Sequence, residues 1–372
     1  MRAFVCATVV AIGLAAPPAF AQTGGTAAAF WKTVQAACDA TAAKPPGKLG
    51  QRIAQTAIDE FTRFDGHRID ASGRLFRFGL TEAEHEEDDG GVRQGRLGQL
   101  GWWQVMKYWR ALYGNDAGDM LEARGYRDAS TATSETQAAD LLDATPTELL
   151  RAVEAVSDPV AHEILREATL RAAIIDTPWS AAFVSYVIRQ SGVAENAFQF
   201  SNAHRAYIYD AFAASAAEAS HAAQEAQEAN DRLYRACPLN ATRPRAGDLI
   251  CQLREPALAD ASDLAVRERI RAELASGTDV RSVRRTHCEV VAHIDVPARK
   301  MYTIGGNVSQ SVTARQLNLR RNLKFSVTQK SNCGGSGHWT LPQPSAQPPR
   351  APGLTEKCSL NDKKWFVLLQ LR

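Results

Sequence analysis

Apolar residues recur every three or four positions through the first half of the chain, most clearly in WKTVQAAC, IAQTAIDEF and WWQVMKYWRALY, which predicts helices over about 26–175. In the last stretch Trp102, Val105, Met106, Trp109, Leu112 and Tyr113 share one face. Such a stripe is expected to be a buried helix face, with a sugar-stacking platform as the alternative. The segment from Thr145 to Ile175 stays helical and leads into DTPWSAAFVSYVIRQSGV. There Thr177 suits an N-cap and Pro178 the first helical position, with Trp179, Ala182, Phe183, Tyr186 and Val187 on the buried face of a helix over 178–191. A polar and aromatic stretch, FQFSNAHRAYIYDAF, follows, and then an alanine-rich helix, AASAAEASHAAQEAQEANDRLYRA.

The pattern changes at RPRAGDLICQL (243–253), where a Pro and Gly turn runs into a short apolar strand. HCEVVAHIDV (287–296), KMYTIGGNVS (300–309) and the terminal KKWFVLLQLR read as further strands. Between the first two strands, residues 254–286 are charged and helical and carry Arg267, Arg269, Arg271, Arg281, Arg284 and Arg285, a run expected to be a solvated face rather than a polyanion dock. The expected fold class is α+β, a helix packed on a small antiparallel sheet with a helical N-terminal region.

The opening MRAFVCATVVAIGLAAPPAFAQ has one arginine, an apolar run from Ala3 to Ala16 and Ala19-Phe20-Ala21, the pattern of a cleavable secretory leader ending at Ala21. That run is too short to span a membrane, and no other stretch reaches about 18 apolar residues, so a periplasmic or secreted protein without a membrane span is expected. The chain has 43 Lys and Arg against 41 Asp and Glu, and loss of Arg2 with the leader leaves a balance of +1. This argues against bulk attraction to nucleic acid or anionic membrane. EAEHEEDDGG (82–91) holds His85 among six carboxylates, but its spacing matches no cation loop, so a solvated acidic loop is expected and no metal or other cofactor.

Ser180 falls in the first turn of its helix, near unpaired backbone N–H groups and the positive end of the helix dipole, where a nucleophile's anion is stabilised. Downstream come PRAGDLI, then His287 opening a strand, then IGGN with Asn307. In this order the chain resembles the papain-like amidases of the CHAP and NlpC/P60 superfamily. Within that group its PWSAAF and HCEVV stretches resemble the bacterial family called domain of unknown function 2272.

The resemblance implies a papain-like core over 160–330; the residue pattern places helical inserts at about 211–236 and 254–286 within it, and a helical region at 22–159 and a Pro-rich loop with a closing strand at 331–372 largely outside it. It implies a nucleophile at Ser180, a base at His287 and an orienting residue at Asn307, with serine standing where the superfamily has cysteine. Trp179, Ser201, Asn202, His204 and Tyr207 are candidate substrate contacts, and His293, on the same strand face as His287, is a rival base. Asn307 also suits a left-handed turn position.

Six cysteines remain beyond the leader, an even number that favours disulfides in an exported chain. Cys251 and Cys288 suit a cross-strand bond, Cys333 and Cys358 flank the Pro-rich loop, and Cys38 is left to pair with Cys237. The expected function is an exported hydrolase of amide bonds in peptidoglycan peptides, acting on muropeptides through Ser180, His287 and Asn307. The alternative is an inactive cell-envelope binding or interaction protein that keeps the cleft.

Overall fold

The computed structural model describes residues 27–83, 101–121, 123–124, 143–144, 151, 153–220, 231–329 and 359–372. The chain is α+β. Helices α1 (Ala27–Ala42), α2 (Lys48–Phe64), α3 (Gly101–Tyr113), α4 (Pro159–Asp176), α5 (Ser180–Gln190), α6 (His204–Ala219) and α7 (Asp263–Ala275) surround one large sheet. Its strands are β1 (Arg68–Ile69), β2 (Leu75–Arg77), β5 (Tyr234–Pro238), β6 (Leu249–Leu253), β7 (Thr286–Asp295), β8 (Lys300–Val308), β9 (Ser311–Asn318) and β10 (Lys364–Leu371). They run in the order β2-β1-β9-β8-β7-β6-β10-β5, and β3 (Ala123–Arg124) pairs separately with β4 (Asp143–Ala144). Adjacent strands of the large sheet are antiparallel except β1 and β9, which are parallel.

The expected elements are present where a single period dominates. Trp102, Val105, Met106 and Trp109 of α3 are buried, so the aromatic stripe is core rather than a sugar platform. In β10 every residue after Lys364 is buried, which explains its almost continuous apolar run: it lies inside the sheet between β6 and β5.

The structure departs from the sequence reading in several places, among them the short pair β3 and β4 inside the stretch read as helical. Residues 68–77, read as helical, include the two short strands that extend the sheet. Ser311–Asn318 adds a strand next to β8. Helix α6 starts at His204, inside the stretch read as irregular, and Tyr234–Pro238, read as the end of the alanine-rich helix, is an edge strand. The sheet is therefore larger than the small one expected and mixed in direction.

Two disulfides hold this arrangement: Cys38–Cys237 ties α1 to β5, and Cys251–Cys288 joins directly opposed residues of β6 and β7 with Cα atoms 4.1 Å apart. Cys333 and Cys358, the expected leader and His85 lie outside the described residues. Among the described residues no helix is long and apolar enough to cross a membrane.

Candidate functional site

Helix α4 ends at Thr177, whose hydroxyl donates to the Ala173 carbonyl (2.7 Å), so Thr177 closes the preceding helix instead of capping the next. The new helix has Trp179 as its cap residue and Ser180 as its first residue, and its first intrahelical bond runs from the Phe183 N–H to the Trp179 carbonyl (3.0 Å). Ser180 thus sits in the first turn, half-buried, as its sequence context indicated. Trp179, Phe183 and Val187 anchor the turn in the core at 0 % exposure.

Ser180 Oγ lies 2.7 Å from Nε2 of His204, the first residue of α6, and no hydrogen bond joins it to His287. His204 is held on its other side as well. Its Nδ1 is hydrogen-bonded to the Tyr207 hydroxyl one turn along the helix, and the backbone N–H of Cys288 donates to the same nitrogen (3.3 Å). Burial, reinforced by the neighbouring His287 and by the positive charge of Arg254, holds His204 well below the usual histidine range, so its ring is neutral at pH 7.

His287 stands behind His204, with ring centroids 5.0 Å apart at an interplanar angle of 69°. Its side chain is fully buried, and Nε2 is 3.5 Å from Glu289 Oε1, an ion-pair distance too long for a well-formed hydrogen bond. Strand alternation puts His287 and Glu289 on one face, where Arg315 lies 3.2 Å from Glu289 Oε1 and the Thr303 hydroxyl donates to Oε2 (2.5 Å). Arg315 in turn donates to Asn361 Oδ1 (3.0 Å) and to the Leu360 carbonyl. Burial lowers His287 to about 4 despite Glu289, and Arg315 keeps Glu289 well below the usual carboxylate range. The result is a line of groups from the helix start into the sheet: Ser180, His204, His287, Glu289, Arg315.

The remaining predicted residues fall into different places. Asn307 does not orient His287, whose ring nitrogens have no hydrogen-bond partner among the described residues. It sits at φ 52° in the irregular stretch between Gly305 and Val308, the turn role open to it from the sequence. Trp179 has no surface to offer a substrate; its indole N–H donates to Glu82 Oε2 (3.3 Å), and its ring packs on Phe64 and Tyr108. Glu82 is itself buried rather than part of a solvated loop, and burial pushes its carboxyl up to about 7.

Tyr207 is 1 % exposed and stacks on Phe198, so it supports His204 rather than touching a substrate. Ser201 Oγ accepts from the Ala203 N–H (3.1 Å), while the Ser185 hydroxyl donates to the Ser201 carbonyl (2.8 Å); together they fix the turn that delivers His204. Asn202 is half-buried in that turn. His293 is exposed beside Tyr302. Glu289 and Arg315 were missed in the sequence, although a carboxylate two residues after a strand histidine was a readable signal for the first. Among the described residues no group of three or more His, Cys, Asp or Glu side chains could hold a metal ion.

The chain is thus an α+β protein in which a serine at a helix start meets a buried histidine beside β7, an interior strand of a mixed sheet. The chain belongs to the family described as "Uncharacterized protein conserved in bacteria (DUF2272)", whose model matches residues 97–371. No curated protein and no solved structure matches it.

Proposed function

We propose that this protein is an extracytoplasmic hydrolase that cleaves amide bonds of peptidoglycan peptides by acyl transfer through Ser180, with His204 rather than His287 as the immediate base. The 2.7 Å contact between Ser180 Oγ and His204 Nε2 carries this reading. In the reaction Ser180 Oγ bonds to the amide carbon as its proton passes to Nε2, and first-turn N–H groups of α5 face the developing oxyanion. The imidazolium then gives that proton to the departing amine as the C–N bond breaks. Water, deprotonated by the same nitrogen, releases the acid and restores Ser180. The two disulfides suit an oxidising compartment. The substrate class is supported by the resemblance of the ordered helix start at Ser180, PRAGDLI, the His287 strand and IGGN to papain-like amidases and by the leader-like N-terminus.

One observation favours a second reading, a binding protein that keeps the cleft. The Cys288 N–H directed at Nδ1 assigns the proton of neutral His204 to Nε2, so that Ser180 accepts a hydrogen bond instead of giving one. Muropeptide digestion followed by chromatography and mass spectrometry separates the two. Cleavage by the unaltered protein that falls at least 1000-fold in both Ser180→Ala and His204→Ala is the expected result. Cleavage surviving in Ser180→Ala would overturn the assignment. No cleavage by the unaltered protein, combined with retention of muropeptides, would establish the binding reading.

A further inference from the structure

A backbone N–H is a donor at every pH, and that of Cys288 is not used in the ladder on either side of β7. Cys288 faces Cys251 across β6 at a Cα separation of 4.1 Å, the close spacing of a pair that exchanges no backbone hydrogen bonds. On the other side, pairing with β8 starts only at Val290↔Ile304. The free N–H is spent on His204 Nδ1, which must offer it a lone pair. A neutral imidazole has one lone pair on its nitrogens, so Nε2 carries the hydrogen and points it at Ser180. In this form His204 cannot accept a proton from the serine.

Tyr207 is the second group on Nδ1, and a phenol differs from a backbone amide in being able to give or to take a hydrogen bond. We propose that the Tyr207 hydroxyl governs the position of the ring proton of His204, a positioning role that rests on the hydrolase reading above. In the resting form Tyr207 donates to Nδ1 alongside Cys288. In the working form Nδ1 carries the hydrogen and gives it to the Tyr207 oxygen, which frees the Nε2 lone pair for Ser180. The exchange conserves protons: Nδ1 gains one as Nε2 loses one, and Tyr207 ends with the hydrogen it began with. The working form leaves the Cys288 N–H without its acceptor, so it is a minor state of the ring. Without the hydroxyl, Nδ1–H would face only another donor and the working form would be lost.

The test uses Tyr207→Phe, which keeps the ring stacked on Phe198 at 5.1 Å and removes one oxygen atom. Long-range ¹H–¹⁵N correlation of histidine-labelled protein reports the tautomer directly, with the His204 signals assigned by their loss in His204→Gln. Expected is an Nδ1 signal displaced toward the protonated position in the unaltered protein, moving to the fully unprotonated position in Tyr207→Phe. A Phe198→Leu variant disturbs the same packing but keeps the hydroxyl, and should leave the signal where it was. An Nδ1 signal identical in unaltered protein and Tyr207→Phe would overturn the assignment. On muropeptides kcat should fall on the order of 10- to 100-fold in Tyr207→Phe with KM unchanged, the equivalent of one buried hydrogen bond. If the unaltered protein cleaves nothing, the hydrolase reading fails, while the spectra still decide the role of Tyr207.

Discussion

His287 is the ionisable side chain whose burial has the clearest consequence. Both of its ring nitrogens lack a hydrogen-bond partner, and its pKa falls to about 4, below the 6.5 of an unfolded chain. A histidine depressed in the folded state contributes stability that is complete above pH 6.5 and is lost as pH falls toward 4. Glu82 and Asp248, each raised to about 7, act in the opposite direction: their contribution is present at low pH and is lost as pH rises through 7. The acid sensitivity of the whole protein is a difference between these groups, so a single variant is needed to isolate one of them. Urea unfolding of His287→Gln beside the unaltered protein should show their stability gap narrowing by about 2–3 kcal/mol between pH 7.5 and pH 4.5. A gap that does not move with pH would mean that His287 is not held neutral by burial. The position of Ser180 was legible because helix starts leave local marks, Pro178 before it and an apolar face after it, even though Thr177 closes the preceding helix instead of capping this one. His204 was legible as a candidate site residue but not as the partner of Ser180, since the chain between them, a separation of 24 positions, includes a turn whose direction is set by Ser185 and Ser201.

Among the elements, α5 and β8 meet at Gly306. A Cβ there would fall 2.4 Å from Phe183 Cβ and 2.8 Å from the Trp179 ring, and the first of these cannot swing aside because it is fixed to the helix backbone. Gly306→Ala should therefore cost about 1–3 kcal/mol in thermal or urea unfolding. Gly118→Ala, whose new Cβ would meet only Leu170 Cδ2 at 3.8 Å, should be close to neutral. Equal stabilities for the two variants would contradict the close approach of α5 to the sheet. The same packing explains which elements could be read from sequence. Helix α3 exposes one side, and its period shows; α6 buries Tyr207, Ile208, Tyr209, Ala211, Phe212 and Ala214 around most of its circumference, so no polar side marks it as a helix. Strands β1, β2 and β5 are two to five residues long, too short for alternation to emerge from their surroundings, and exist because longer neighbours pair with them.

At the scale of the molecule, the sheet takes strands from distant parts of the chain: β1 and β2 from 68–77, five strands from 234–318 and β10 from 364–371. The cross-links follow the same logic. Cys38–Cys237 spans 199 residues and Cys251–Cys288 only 37. Loop closure then predicts that losing the first, in Cys38→Ser with Cys237→Ser, destabilises more than losing the second by about 1–2 kcal/mol. The reverse ranking in guanidinium unfolding would show that Cys251–Cys288 does more than close a loop, for instance by aligning the strand that offers its N–H to His204.

The place of β10 also sets an order of events. A chain that has emerged from the ribosome only as far as residue 360 holds β5 and β6 without the strand that lies between them. The two can neither pair with each other in the native arrangement nor bury the faces that β10 covers. Completion of the sheet therefore awaits residues 364–371, and until they arrive β5 and β6 each present an unpaired edge.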